Sequence, residues 1–213
     1  MRFAMSYSCG KDSTLALHRM VRAGHEPVCL VVMVNAAEGR SYFHGADGSM
    51  LDRYEAALGL PLVRCPASGE TYHLAFEAGL AQAKALGAEA VAFGDIDLEG
   101  HRQWDVDRCA AVGLTPCFPL WQQGREALAR EVVDAGYRCI IKSIDKAALP
   151  LRFLGRYLDR AVLEEMKAAG IDICGENGEY HTLAVDGPVF QRPLDFQTGE
   201  IVDLGSHAVI DIH

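Results

Sequence analysis

The chain has 213 residues, is half hydrophobic and 23% charged, and carries a formal charge of −9. That balance excludes a disordered or fibrous chain and allows one large domain, or a medium one with a small appendage. It disfavours broad binding to nucleic acid or anionic membrane, while leaving room for a local basic site for phosphates.

Residues 28–34 form the longest apolar run, far short of the roughly 18 residues that span a membrane. Residues 1–5 carry no apolar core of a signal peptide. The seven cysteines include no Cys-x-x-Cys pair and sit mostly among apolar neighbours. They read as reduced, buried thiols of a cytoplasmic protein rather than a disulfide framework or a structural zinc site.

In chain order, residues 3–7 read as a short buried strand. Leu17, Met20 and Val21 recur at helical spacing, which predicts a helix over 12–23 stopped by Gly24. Residues 28–34 read as a strand buried on both faces, as a parallel sheet requires. A polar, glycine-bearing loop runs to about residue 47. Then come a helix near 48–58, a strand at 62–65, a helix near 70–86, a strand at 90–93 and a helix near 102–112. This alternation predicts an α/β fold, a parallel sheet with helices on both faces. Ligands of such sheets bind beyond the carboxyl ends of the strands, so loops 8–13, 35–46 and 94–101 are expected on one rim.

The rhythm changes near residue 135. A strand at 138–143, one short and one longer helix within 146–169, and strands at 182–185, 189–191 and 201–212 predict a smaller α+β part. The expected domains are 1–135 and 136–213.

Ser8-Cys9-Gly10-Lys11-Asp12-Ser13 joins the first strand to the first helix. A helix N-terminus offers unpaired N–H groups and a positive dipole end, so anions bind there. Gly10 admits close backbone approach, the Ser8 and Ser13 hydroxyls suit phosphate oxygens, and Lys11 adds a point charge. Asp12 suits a helix start or a Mg²⁺ contact, direct or through water. The common phosphate loop would need Gly where Met5 stands and Ser or Thr where Asp12 stands. The segment resembles instead the Ser-Gly-Gly-Lys-Asp-Ser PP-loop of ATP pyrophosphatases, with Cys9 replacing a glycine. That resemblance implies ATP cleavage between the α and β phosphates, with pyrophosphate held by this loop.

Gly94 and Asp95 end a strand on the same rim. The acids at 95, 97 and 99 look like a calcium loop, but Val106 stands where its bidentate acid is required. Asp95 remains a candidate for Mg²⁺ or a ribose hydroxyl, and Asp97 and Glu99 equally suit a solvated helix start. His101 and Arg102 are candidates for substrate or phosphate contact. Ser41 and His44 are candidates from the second rim loop, where Phe43 reads as packing. Adenine is expected near Met33 and Val34, read by backbone groups.

Residues 174–182 place Glu176 and Glu179 three apart, each beside a glycine, which neither a helix nor a plain strand explains. These carboxylates are suited to bind an amine, to act as general base toward ammonia, or to coordinate Mg²⁺. The loop at 8–13, Gly-Asp-Ile at 94–96, Pro-Leu-Trp at 119–121, Gly-Glu-Asn-Gly-Glu-Tyr at 175–180 and Asp-Gly-Pro at 186–188 occur in this order. Together they resemble the diphthine–ammonia ligase family of PP-loop ATP pyrophosphatases, from residue 8 to about 190. The stretch 94–104 is similar to a bacterial branch of that family.

The resemblance implies an adenine nucleotide α-hydrolase-like fold with ATP and Mg²⁺ as cofactors. It implies a reaction in which a carboxylate attacks the α-phosphorus of ATP, pyrophosphate leaves, and ammonia then displaces AMP. The partners are a carboxylate acceptor, which in the family is diphthine on elongation factor 2, and ammonia. A homo-oligomer stays open. Lys11, Asp12, Asp95, Glu176 and Glu179 become the catalytic candidates. Tyr180, His101, Arg102 and Trp121, with Ser41 and His44, would shape the acceptor pocket, helped by the second domain. The length leaves no room for a glutaminase, so ammonia is expected free or from a partner. Two other readings compete. One is PP-loop tRNA thiolation, disfavoured by the absent Cys-x-x-Cys and the negative charge. The other is a non-catalytic ATP-binding module, in which the paired glutamates have no chemical task.

Overall fold

The computed structural model describes residues 1–42 and 44–213; Phe43, expected to pack, lies outside them. The first sheet is built from β1 (Arg2–Ser6), β2 (Glu26–Asn35), β3 (Arg40–Ser41), β4 (Leu62–Ala67), β5 (Ala90–Ala92) and β6 (Thr115–Cys117). Its parallel strands run in the order β4-β2-β1-β5-β6, and β3 pairs antiparallel with the end of β2. The chain therefore moves outward from β1 to β4, then returns past β1 to β5. The crevice between β1 and β5 is the switch point at which such sheets bind ligands.

Alternate residues of each strand enter opposite cores. Phe3, Met5, Leu30 and Val32 pack with Leu15, Leu17, Met50 and Tyr54, which belong to α1 (Lys11–Arg22) and α2 (Gly48–Leu58). Ala4, Val31, Met33 and Val91 pack with Phe76, Leu80 and Cys109. These last come from α3 (Tyr72–Ala85) and α4 (Glu99–Val112). Burial on both faces is what makes β2 a continuous apolar run.

After α5 (Arg125–Asp134) comes a second, antiparallel sheet of β7 (Arg138–Asp145), β8 (Tyr180–Asp186), β9 (Thr198–Asp203) and β10 (His207–Ile212). Its order is β8-β7-β10-β9, and α6 (Arg160–Ala168) lies in the β7–β8 connection. Ile140, Val162 and Leu183 of this region share a core with Phe3 and Leu15, so the two sheets are packed together. No helix among the described residues is long and apolar enough to cross a membrane.

Several elements differ from the sequence expectation. Residues 189–191 form no strand, because Gly187 and Pro188 turn the chain and Gln191 N–H bonds to the Ala57 carbonyl at 2.7 Å. Residues 201–212 are not one strand but part of the β9–β10 hairpin, closed by Leu204 N–H to the His207 carbonyl at 2.9 Å. Helix α4 starts at Glu99, so His101 and Arg102 lie in its opening turn. Strands β3 and β6 are too short to leave a periodic signal.

Candidate active site

A cavity of about 680 Å³ opens where the carboxyl ends of β1, β2 and β5 meet residues 175–182 of the second region. That volume lies within the range of small-molecule sites. Its walls include Ser8, Lys11, Asp12 and Ser13, then Ser41, Tyr42 and His44, then Gly94, Asp95 and His101. A side chain at Gly94 would place its Cβ 2.8 Å from the Ser13 nitrogen, so only glycine lets the exit of β5 pass this close to α1.

The loop after β1 is tightly held. Cys9 is fully buried and adopts φ +71°, the left-handed conformation that glycine takes freely. Its carbonyl accepts Ala184 N–H at 2.9 Å and the Tyr54 hydroxyl at 3.3 Å. Lys11 N–H donates to Thr182 Oγ1 at 3.1 Å, and the Ser8 and Ser13 hydroxyls are 3.1 Å apart. The buried Lys11 ammonium lies 2.7 Å from Asp12 Oδ2 and 5.5 Å from the centre of the Tyr180 ring. Burial favours loss of its proton, but Asp12 and the neighbouring Cys174 and Tyr180 outweigh burial and hold its pKa well above the ordinary lysine value. Asp12 Oδ1 is buried and has no hydrogen-bond partner among the described residues.

His44 lies against the face of Gly10, where an added Cβ would come 2.4 Å from the ring. Its Nδ1 is 2.7 Å from the Thr182 carbonyl, which can only accept, so Nδ1 carries the proton. Burial, then the adjacent His181, pushes the His44 pKa down to about 3, and the ring is neutral. Ser41 uses its hydroxyl to accept Ala46 N–H at 3.0 Å, shaping its own loop.

Asp95 is hydrogen-bonded to Asp105 of α4, and burial raises the pKa of both. Asp105 is pushed up to about 9, so the pair retains a proton at neutral pH. His101 Nδ1 stands 3.7 Å from Asp95. Beyond the pair runs an aromatic wall. Tyr72 meets Tyr42 at 5.0 Å and Trp104 at 5.8 Å between ring centres, and Phe76 stacks on Trp104 at 5.2 Å. Sequence reasoning missed Asp105 and this wall. The available signal was the pair Tyr72 and Phe76, one helical turn apart.

Glu176 lines the cavity, and burial, followed by Asp12, raises its pKa to about 7 against the opposing effect of Lys11. Tyr180 is buried and donates its hydroxyl to the Ile173 carbonyl at 2.6 Å.

Residues 1–116 match the profile of the diphthamide synthase N-terminal domain, and residues 124–213 match that of its C-terminal domain. The chain belongs to the diphthamide synthase family. It is 29% identical to a Bos taurus protein named diphthine–ammonia ligase, over 95% of this chain and 85% of that protein. The Homo sapiens protein of the same name is 28% identical over the same shares. A solved structure from Methanocaldococcus jannaschii, described as a predicted subunit of tRNA methyltransferase, superposes with a TM-score of 0.48. It is 14% identical and covers 91% of this chain and 100% of that one.

In this diphthamide synthase family member, Ser8, Lys11, Asp12, Ser13, Met33, Ser41, His44, Gly94, Asp95, His101, Glu176 and Tyr180 converge on one cavity. The other candidates stand elsewhere. Cys9 and Gly10 lie behind the wall, and Val34 is in the core, paired with Ser41 in the sheet. Arg102 and Trp121 form a separate cluster with Phe118, the guanidinium 5.1 Å from the indole and 5.4 Å from the phenyl ring. Glu179 turns its carboxylate to Asn177, at 3.0 Å from the backbone N–H and 3.1 Å from Nδ2. The two glutamates therefore do different things, because a loop bend between them aims only Glu176 inward.

Proposed function

We propose that this chain is an ATP-dependent amide ligase acting on a carboxylate of the diphthine type. The acceptor carboxylate oxygen attacks the α-phosphorus, the bond to the bridging oxygen breaks, and pyrophosphate leaves. Ammonia then forms the new C–N bond at the acyl carbon as AMP departs. The observation that carries this reading is the convergence of the buried Lys11 ammonium, the α1 N-terminus and Glu176 on one cavity. The shared name of the relatives supports it.

The phosphates would lie on Ser8, Lys11, Ser13 and the helix N-terminus, where backbone donors and a fixed cation favour anions. Adenine would lie between Met33 and the aromatic wall. Glu176, ionised on the alkaline side of about 7, would accept the proton that nitrogen loses as the amide forms. Clamping the phosphates in line and stabilising developing charge would supply most of the rate.

Mg²⁺ fits the donor set. Asp12 Oδ1 is a buried carboxylate oxygen without a hydrogen bond. The described residues hold no group of three or more His, Cys, Asp or Glu that would cage a metal. Mg²⁺ commonly uses one or two carboxylates together with phosphate oxygens and water. Asp12, with Asp95 across the crevice, would hold it, and it would neutralise phosphate charge.

Thiolation chemistry needs an accessible, low-pKa cysteine. Cys9 and Cys174 are buried, and burial raises both thiols, Cys174 to about 12. Incubation with ATP, ammonium and diphthine-bearing elongation factor or small carboxylates tests the ligase. Release of AMP and pyrophosphate that needs both acceptor and ammonium is expected. Formation of ADP, or ATP binding with no turnover on any acceptor, would overturn the proposal.

A further inference from the structure

The loop that presents Glu176 lies between α6 and β8 without regular structure, so side chains must fix it. Arg125, the first residue of α5, donates from Nε and Nη2 to the two oxygens of Asp97 at 2.7 and 2.8 Å. Its Nη1 donates to Asp172 Oδ2 at 2.7 Å and to Asn177 Oδ1 at 3.2 Å. Asp172 also accepts Cys174 N–H at 2.9 Å, and Glu179 holds both nitrogens of Asn177. Asp172, Asn177 and Glu179 are thus tied into one network, and Glu176, between them, faces the cavity.

Asp97 belongs to the loop between β5 and α4, two residues beyond Asp95. One guanidinium therefore spans the two rims of the cavity without lining it. We infer that Arg125 is a positioning residue that locks the 172–179 loop to the β5–α4 loop and so holds Glu176 over the cavity. The catalytic consequence rests on the ligase reading above.

Only arginine has the chemistry for this bridge. Its planar fork serves several acceptors in fixed directions, whereas a lysine ammonium is a compact point charge. The side chains of Arg125, Asp97 and Asp172 are 26%, 36% and 18% exposed. These groups are partly buried and the Arg125–Asp97 pair is bidentate, which fixes direction as well as distance, so the network's main effect is on the local geometry of the two loops.

The test compares Arg125→Ala and Arg125→Lys with the unaltered chain, by amide hydrogen exchange and by ammonium-dependent pyrophosphate release. Faster exchange is expected in 172–179 for Arg125→Ala, with β1 and β2 unchanged. Turnover should fall about tenfold to a hundredfold through misplacement of Glu176. The KM for ATP should stay within about twofold, because the phosphate loop keeps its own contacts. Arg125→Lys should restore only part of the loss. Unchanged exchange in 172–179, faster exchange throughout the chain, or full rescue by lysine would each overturn the inference. The exchange measurement needs no turnover. An inactive unaltered chain would sink the ligase reading while leaving the clamp to be decided by exchange alone.

Discussion

The loop at 8–13 is fastened from within, and the loop at 172–179 from without. Cys9 and Lys11 meet Ala184, Tyr54 and Thr182 through bonds buried in the shared core. Asp172 and Asn177 instead meet Arg125 through charged groups that water partly reaches. Buried backbone bonds hold one geometry whatever the ionic strength, whereas part-exposed ion pairs are weakened by salt. The end of the cavity at residues 8–13, proposed for the nucleotide, is thus built into the fold, while the end at Glu176, proposed for the acceptor, is set by a few side chains.

Lys11→Ala should break the first side of that comparison most severely. It removes the buried cation from the end proposed for the phosphates, and turnover should fall by about 10²–10³, as when one key electrostatic donor is lost. Pyrophosphate release reads this directly, and near-normal turnover would contradict the assignment of Lys11.

Glu176→Gln strikes the end proposed for the acceptor. A positioned general base is worth about 10²–10⁴ in rate, and a loss of that order is expected. The unaltered chain should gain activity as pH rises through about 7, and the variant should lack that limb. The stability effect has the opposite sign. The folded pKa is raised above the ordinary glutamate value of 4.5, so its stabilising contribution is full below 4.5 and lost as pH rises through about 7. Glu176→Gln should therefore melt higher than the unaltered chain at pH 8 and match it near pH 4, as scanning calorimetry would show.

The same division decided what was legible in the sequence. The placement of residues 8–13 on the cavity was readable because they are contiguous between a strand and a helix. Glu179 was misplaced because spacing alone does not say which way a loop aims its side chains. Asp105, Phe76 and Trp104 were missed because they sit on separate helices, α3 and α4, whose inward faces meet only after packing. Trp121 and Arg102 were drawn to the pocket by their chemistry, yet the guanidinium lies over the Trp121 and Phe118 rings and donates to Glu99 at 3.1 Å, outside the cavity lining. Residues 189–191 have strand-like composition, but the preceding Gly-Pro turn overrides it.

Thr182→Val probes the inner fastening with little change of volume. It leaves Lys11 N–H without its acceptor in a buried place, a loss of about 1–3 kcal/mol. Weaker ATP binding in titration calorimetry is expected, with exchange in 172–179 unchanged. Combined with Arg125→Ala, the stability effects should add, as they do for separate sites. Strong non-additivity in denaturant titrations would show that the two fastenings are one.

The smallest effect concerns the residue that departs from the glycine pattern. Cys9 holds φ +71° with its side chain fully buried. The left-handed conformation costs a residue with a Cβ roughly 1–2 kcal/mol. Cys9→Gly relieves that cost but gives up thiol packing and frees the unfolded chain, so its net change should stay within about 1 kcal/mol. Cys9→Ala loses the thiol and keeps the strain, so denaturant melts should rank it below Cys9→Gly, the reverse of ordinary propensity. The opposite ranking would mean that packing around Cβ, and not backbone conformation, governs this position.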